Sequence, residues 1–224
     1  MFPYLFVISH NVTGTLALGF DLAVWFFITQ VRVVSGGKSL KIMALSSTIY
    51  KVDLSVADMD RNYYEQFQLT LACHPSETIE RMMLRLVVFA RHASQRLKFT
   101  RGISSDNEPD LWEHHDHGAI NLWIELGLPE ERRIRQACGR SDAVAVYVYG
   151  DRAWPVWWRL QEPALCKLDK LKVWMVTEVT LALLADRVRR TMQLSCSIQD
   201  GLLWLADDHA SVEVGFELLF TGAG

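Results

Sequence analysis

No CxxC pair occurs anywhere in this 224-residue chain, and its four cysteines, Cys73, Cys138, Cys166 and Cys196, stand far apart. That spacing excludes a zinc ribbon and a disulfide-stapled small domain, and it leads us to expect reduced thiols in a cytoplasmic protein. Positive charge is not in excess either: 23 basic residues face 26 acidic ones, for a net charge of -3. Composition alone therefore does not announce a nucleic-acid binder, although a local basic patch stays open. An unbroken apolar run of the ~20 residues a membrane span needs is also missing. The nearest approach, LALGFDLAVWFFIT at residues 16–29, is interrupted by Asp21 and closely followed by Arg32, and no lysine or arginine precedes it as a signal peptide would require. We find no repeat of fixed period and no low-complexity tract. What remains is the mix of an ordinary globular domain, 50% hydrophobic, 11% aromatic and 22% charged, with enough apolar residues for a sizeable core.

Composition shifts once along the chain. After the apolar run, Ser35-Gly36-Gly37-Lys38-Ser39 reads as a linker, and a regular pattern begins at Met43, which is also a candidate start. We therefore expect an N-terminal extension at 1–42, a main domain at 43–214 and a tail at 215–224. Without the extension the chain has 20 basic and 25 acidic residues. The sequon at Asn11 reads as chance in a cytoplasmic chain.

Within the main domain, apolar Tyr50, Val52, Leu54 and Val56 alternate with polar neighbours, as do Phe67, Leu69, Leu71 and Cys73, which predicts two half-buried strands. Pro75 and Ser76 mark a helix start, Glu77 and Glu80 suit its positive end, and Ile79, Met82, Met83, Leu86, Val87 and Ala90 recur at helical spacing. Arg81, Arg85 and Arg91 then fall on the predicted wet side, where they either line a phosphate path or simply meet solvent. A strand over 119–126, a helix from Pro129 to Cys138 and the apolar run AVAVYVY at 143–149 make a βαβ unit with a parallel strand pair. A Trp-rich helix after Pro155, a strand over 172–176, a helix over 179–190 and a hairpin turning at Asp200-Gly201 follow, with a last short strand at 212–214. The fold class is mixed α/β.

Glu125 ends an otherwise apolar strand just before a helix, where an ionised carboxylate needs a cation or donors to be tolerated. Glu108-Pro109-Asp110 lies upstream, after the turn formers Ser104, Ser105, Asp106 and Asn107, with a hairpin's length between Asp110 and Glu125. Two carboxylates on adjacent strand ends are what a hard ion such as Mg²⁺ requires, and Glu80 is a candidate third ligand, although a helix-dipole role explains it as well. His114, His115 and His117 crowd one loop without a partner group elsewhere, which favours a solvated turn over a metal cluster. Trp154, Trp157 and Trp158 read either as stacking surfaces for bases or as helix-on-sheet packing.

Several stretches together resemble the bacterial YaeQ family: Met43-Ala-Leu-Ser-Ser-Thr-Ile-Tyr-Lys, Leu71-Ala-Cys-His-Pro-Ser-Glu-Thr-Ile-Glu-Arg-Met-Met, Asp106-Asn-Glu-Pro-Asp-Leu-Trp, and Leu122-Trp-Ile-Glu-Leu-Gly-Leu-Pro-Glu-Glu-Arg-Arg-Ile-Arg. Arg190-Thr-Met-Gln-Leu, Ile198-Gln-Asp-Gly and Trp204-Leu-Ala-Asp-Asp extend the resemblance to about Val214. It implies a variant of the restriction-endonuclease-like PD-(D/E)xK fold, a mixed sheet flanked by helices with antiparallel hairpins at both ends, without itself implying a reaction. Pro109-Asp110 stands at the PD position and Glu125-Leu126-Gly127 at the (D/E)xK position. Gly127 thus occupies the place of the lysine that helps position the attacking water and offset charge on phosphorus.

Two functions follow as expectations. One is a Mg²⁺-dependent phosphodiester hydrolase acting on DNA or RNA, with Asp110, Glu125 and Glu80 as ligands and Arg133 or Arg135 stabilising charge in place of the lysine. Gln136 is a further candidate in the same helix. The other is a catalytically silent nuclease-fold protein that binds nucleic acid or a protein partner. For either we expect a monomer with no membrane attachment and no small-molecule cofactor.

Overall fold

The computed structural model describes residues 47–102 and 107–222, all within the unit that begins at Leu45. The expected extension, its apolar run, the Asn11 sequon, Met43 and the turn residues Ser104, Ser105 and Asp106 lie outside the described residues.

Both predicted N-terminal strands form, as β1 (Thr48–Asp58) and β2 (Tyr63–Cys73), paired antiparallel over their whole length. At the other end of the chain, β8 (Thr191–Gln199) and β9 (Leu202–Ala206) make the expected hairpin, with Asp200 and Gly201 at φ 53° and 76° in its turn. β10 (Ser211–Val214) adds to β9. The two end hairpins then join, because β1 pairs parallel with β8, and the result is a separate five-stranded sheet ordered β10-β9-β8-β1-β2.

A second sheet carries the βαβ unit. β5 (Ile120–Leu126), α2 (Glu131–Arg140) and β6 (Ser141–Val148) form it, and β7 (Leu171–Met175) continues the parallel run after α3 (Trp154–Leu165). β4 (Leu111–His114) pairs back on β5 as the suspected hairpin, and β3 (Leu97–Phe99) pairs on β4. Residues assigned to the tail supply β11 (Glu217–Thr221), antiparallel to β7, so the six-stranded sheet runs β11-β7-β6-β5-β4-β3. α4 (Glu178–Ala185) is shorter than the pattern suggested. It starts on the Thr177 cap and ends in tight turns, with Arg187 and Val188 donating to the Leu184 and Ala185 carbonyls.

Helix α1 (Ile79–Arg91) is the centre of the domain. Every residue from Met82 to Ala90 is buried, and the same core holds the inward face of the five-stranded sheet, Leu111, Ile124, Leu126 and Tyr147 of the six-stranded sheet, and Leu181 and Leu184 of α4. A helix enclosed in this way keeps only Glu80, in its first turn, fully exposed. Of the arginines expected on a wet face, Arg85 is buried and Arg81 is largely covered instead. Arg91 lies with its guanidinium 4.2 Å from the Trp174 ring centre and 4.4 Å from that of Phe216, which ties the segment before β11 to α1. The opposite face of the six-stranded sheet packs a smaller core against α2 and α3, and Trp154, Trp157 and Trp158 belong to it. The packing reading of those tryptophans holds, and Trp157 also donates to the Pro129 carbonyl at 2.9 Å. Among the described residues no helix is long and apolar enough to cross a membrane, and none of the four cysteines is in a disulfide.

Candidate functional site

The candidate acids meet at the carboxyl end of β5. Asp110 precedes β4 and is 2% exposed; its backbone N–H donates to the Ile124 carbonyl at 3.0 Å. Its side chain then acts as a substitute for the ladder, because Oδ2 accepts the Leu126 N–H at 2.8 Å where the neighbouring strand offers no carbonyl. Oδ1 accepts from Arg81 Nη2 at 2.5 Å. Arg81 in turn donates from Nη1 to Glu77 Oε1 at 2.8 Å, and Glu77 Oε2 accepts from Arg85 Nη2 at 3.1 Å. Arg85 Nη2 also reaches the Ala72 carbonyl on β2 at 3.0 Å. A buried chain of alternating charge therefore runs from β5 through α1 to the five-stranded sheet. Burial would lower the Arg81 pKa, but Asp110, with smaller help from Tyr149 and Glu77, outweighs it and holds the guanidinium above its ordinary value.

Glu125 is 4% exposed and turns the other way, toward α2. Its Oε1 accepts from Trp123 Nε1 and from Arg133 Nε, both at 2.7 Å, and Arg133 Nη2 reaches the Glu108 carbonyl at 2.6 Å. Burial raises the Glu125 carboxyl above its usual range, the bonds from Arg133 and Trp123 pull it back, and the nearby charge of Asp110 adds to the rise. Tyr149, whose phenol is also pushed up by burial and relieved by Arg81, closes the site beside Gly127.

Gly127 sits at φ 102°, a conformation that side-chain-bearing residues rarely adopt. A lysine at this position would strain the backbone, so the glycine belongs to the turn that leads β5 toward α2. Gly102, at φ 53°, is held for the same reason and for a second one: a β-carbon there would come 3.2 Å from Asp110 Oδ1.

Of the residues singled out in the sequence, Asp110, Glu125 and Arg133 come together. Glu80 is exposed on α1, away from this cluster, and the acid one turn before it, Glu77, is the one drawn in. Arg135 is half-exposed and pairs with Glu131 at 2.5 Å, while Gln136 is exposed on the same helix. Arg81 and Arg85 are drawn inward rather than set on a wet face, and Glu77, which does stand at the helix start, is the partner of both. Their spacing of four along one helical line was a signal, since such residues stack on one side. The histidines split between strand and turn: His114 is half-buried at the end of β4 with its ring edge-on to Trp112, while His115 Nε2 lies 2.8 Å from Asp142 and its ring stacks on the exposed His117.

The donor set does not fit magnesium. Both Asp110 oxygens and Oε1 of Glu125 already accept hydrogen bonds, two of these three from guanidinium groups that supply the positive charge a metal would bring. The acids turn toward helices on opposite faces of the sheet. Among the described residues no group of three or more histidine, cysteine, aspartate or glutamate side chains is placed to hold a metal ion. Glu77, Asp110 and Glu125 stand against Arg81, Arg85 and Arg133, a local balance of zero.

Comparison with known proteins bears on the same region. The family model described as YaeQ protein matches residues 43–216. The protein named "Uncharacterized protein YaeQ" in Escherichia coli (strain K12) is 48% identical over 172 residues, which is 77% of this chain and 95% of that protein. The crystal structure of YaeQ protein from Xanthomonas axonopodis pv. citri aligns with a TM-score of 0.75 at 40% identity, covering 79% of this chain and 99% of that one. The one from Pseudomonas syringae aligns with a TM-score of 0.75 at 34% identity, covering 80% and 98%.

Proposed function

The chain belongs to the YaeQ family, and from that premise we propose that it is a catalytically silent member of a nuclease-like fold that binds the phosphate backbone of nucleic acid along α2. The observation that carries this reading is a concentration of charge. A chain of net charge -3 places four arginines, Arg132, Arg133, Arg135 and Arg140, on one ten-residue helix that holds a single acid, Glu131. Arg132, Arg135, Gln136 and Arg140 are exposed there, next to the strand end where nuclease-like folds meet their substrate. The buried carboxylates then have a positioning role: Glu125 holds Arg133, and with it the start of α2, against the sheet.

A metal-dependent hydrolase is the competing reading, favoured by the placement of Asp110 and Glu125 beside one strand end even though their carboxylates face different helices. It requires both guanidinium groups to leave their carboxylates, at a cost that a weakly bound divalent ion does not offset.

Fluorescence anisotropy with labelled single- and double-stranded DNA and RNA separates the two. We expect binding that is equal in EDTA and in Mg²⁺ or Mn²⁺, no cleavage in any of them, and a tenfold or greater loss of affinity in the triple variant Arg132→Glu, Arg135→Glu, Arg140→Glu. The slope of log affinity against log salt should fall by about 0.9 for each phosphate contact removed. Metal-dependent cleavage that disappears in Glu125→Ala, or affinity indifferent to the triple variant, would overturn the proposal.

A further inference from the structure

The outward face of the five-stranded sheet is chemically unlike the rest of the surface. The strand register sets out its rows directly. Gln68, Asp53 and Gln193 lie side by side across β2, β1 and β8, and Gln66, Ser55 and Ser195 form the next rung. These six side chains line a concavity of about 370 Å³. One rung further along, Tyr64, Ala57, Ser197 and Trp204 follow one another across β2, β1, β8 and β9. Tyr64 is 60% exposed, and Trp204 alternates with the buried Leu203 and Leu205, so both rings stand on this outer face with a floor of small side chains between them. Three strand spacings separate them, roughly 14 Å.

A solvated sheet face ordinarily needs no ligand. The exposed amide groups of Gln66, Gln68 and Gln193 and the carboxylate of Asp53 are not tied to other side chains of the described residues, and neither ring stacks on another, so all are open to a ligand that displaces water. Unpaired amides offer donors and acceptors together, which matches a hydroxyl group that both gives and accepts a hydrogen bond. Aromatic rings at the rim supply flat apolar surface for a ring whose faces carry C–H groups. Charge then selects among ligands. Asp53 lies in the floor, Asp208 at its edge and Glu213 beside Trp204, while Asp207 at the same edge is paired with Arg187 at 2.9 Å and Lys51 stands on the rung beyond, so the face keeps an excess of negative charge that disfavours a polyanion.

We propose that this face binds a neutral, polyhydroxylated chain, an oligosaccharide lying across β2, β1, β8 and β9 between Tyr64 and Trp204. The amides of Gln66, Gln68 and Gln193 and the Asp53 carboxylate would take its hydroxyl groups. This surface is built from different elements than α2 and does not depend on the nucleic-acid reading.

Affinity electrophoresis in native gels containing dextran, soluble starch, galactomannan or a mixed-linkage β-glucan tests it. The expected result is retardation by at least one of these polysaccharides, with roughly tenfold weaker binding in Trp204→Ala and in Tyr64→Ala, the size of one lost aromatic contact. The double variant Gln66→Ala, Gln193→Ala should weaken binding as well. Unchanged thermal unfolding of these surface variants separates lost binding from lost fold. The α2 triple variant should bind the polysaccharide normally. Mobility unaffected by all four polymers, retardation indifferent to both aromatic substitutions, or substitutions that weaken oligonucleotide binding instead would each overturn the proposal.

Discussion

Asp110→Ala should destabilise the domain by about 3–5 kcal/mol, the range for removing one partner of a buried ion pair. The residue is 2% exposed, and its carboxylate satisfies two donors at once, the Leu126 N–H at the end of β5 and the Arg81 guanidinium. Truncation leaves a buried strand amide with no acceptor and leaves Arg81 to Glu77 alone, which already serves Arg85. Asp110→Asn keeps an acceptor for the amide and loses only the charge, so it should be less harmful. Urea denaturation of the three proteins measures this directly. A metal site makes the opposite forecast: carboxylates gathered to hold an ion repel one another when the ion is absent, so removing one should leave stability unchanged or raise it.

His92 makes the second large effect, and it is an effect of pH. The imidazole sits at the end of α1 with Nε2 2.6 Å from the Tyr147 hydroxyl, and burial pushes its pKa down to about 3 while the Tyr147 phenol is forced up by the same burial. An unfolded histidine takes up its proton near pH 6.5, so below that pH the unfolded state binds a proton that the folded state refuses. The stability is therefore complete above about pH 6.5. It should decline by about 1.4 kcal/mol per pH unit as the pH falls toward 3. Urea midpoints for wild type and His92→Gln at pH 7.0, 5.5 and 4.5 test this: the wild-type curve should steepen downward, and the variant, less stable at pH 7, should lose that part of the slope. Parallel pH profiles for the two proteins would refute the assignment.

Much of the architecture was readable because it rests on local pattern. The alternation in 47–56 and 67–73, the strand–helix–strand unit around Glu125 and the Asp200-Gly201 turn each appear in the structure where their chemistry demands. The parallel pairing of Lys51 with Thr191 joins residues far apart in the chain, and nothing local signals it. That one long-range pairing has wide consequences. It creates the five-stranded sheet, that sheet closes over α1, and a helix that reads as amphipathic is buried from Met82 to Ala90. For the same reason the long-range partners of Arg81 and Arg85 were not legible: a charge at an apparently wet position finds Asp110 or the Ala72 carbonyl only in the tertiary fold. The strands β3 and β4 are three and four residues long, too short to show a period, and β11 lies beyond the last motif.

The site was half legible. Asp110, Glu125 and Arg133 were identified, because a carboxylate ending an apolar strand and a basic helix start just after it are physical oddities even in one sequence. Which cation answers each acid was not legible, since lysine, arginine and a metal ion satisfy a buried carboxylate by the same electrostatics. Gly127 stands where the resemblance read in the sequence implies a lysine. The structure adds that its φ of 102° leaves no unstrained way to restore one.

The decisive measurement is a calorimetric titration of Mn²⁺, and separately of Mg²⁺, into the full-length protein alongside Asp110→Asn and Glu125→Gln. With guanidinium groups on both carboxylates, neither ion should give saturable heat at millimolar concentration, and the variants should look like wild type. A one-to-one isotherm in wild type that vanishes in both variants would contradict this and return the acids to a metal.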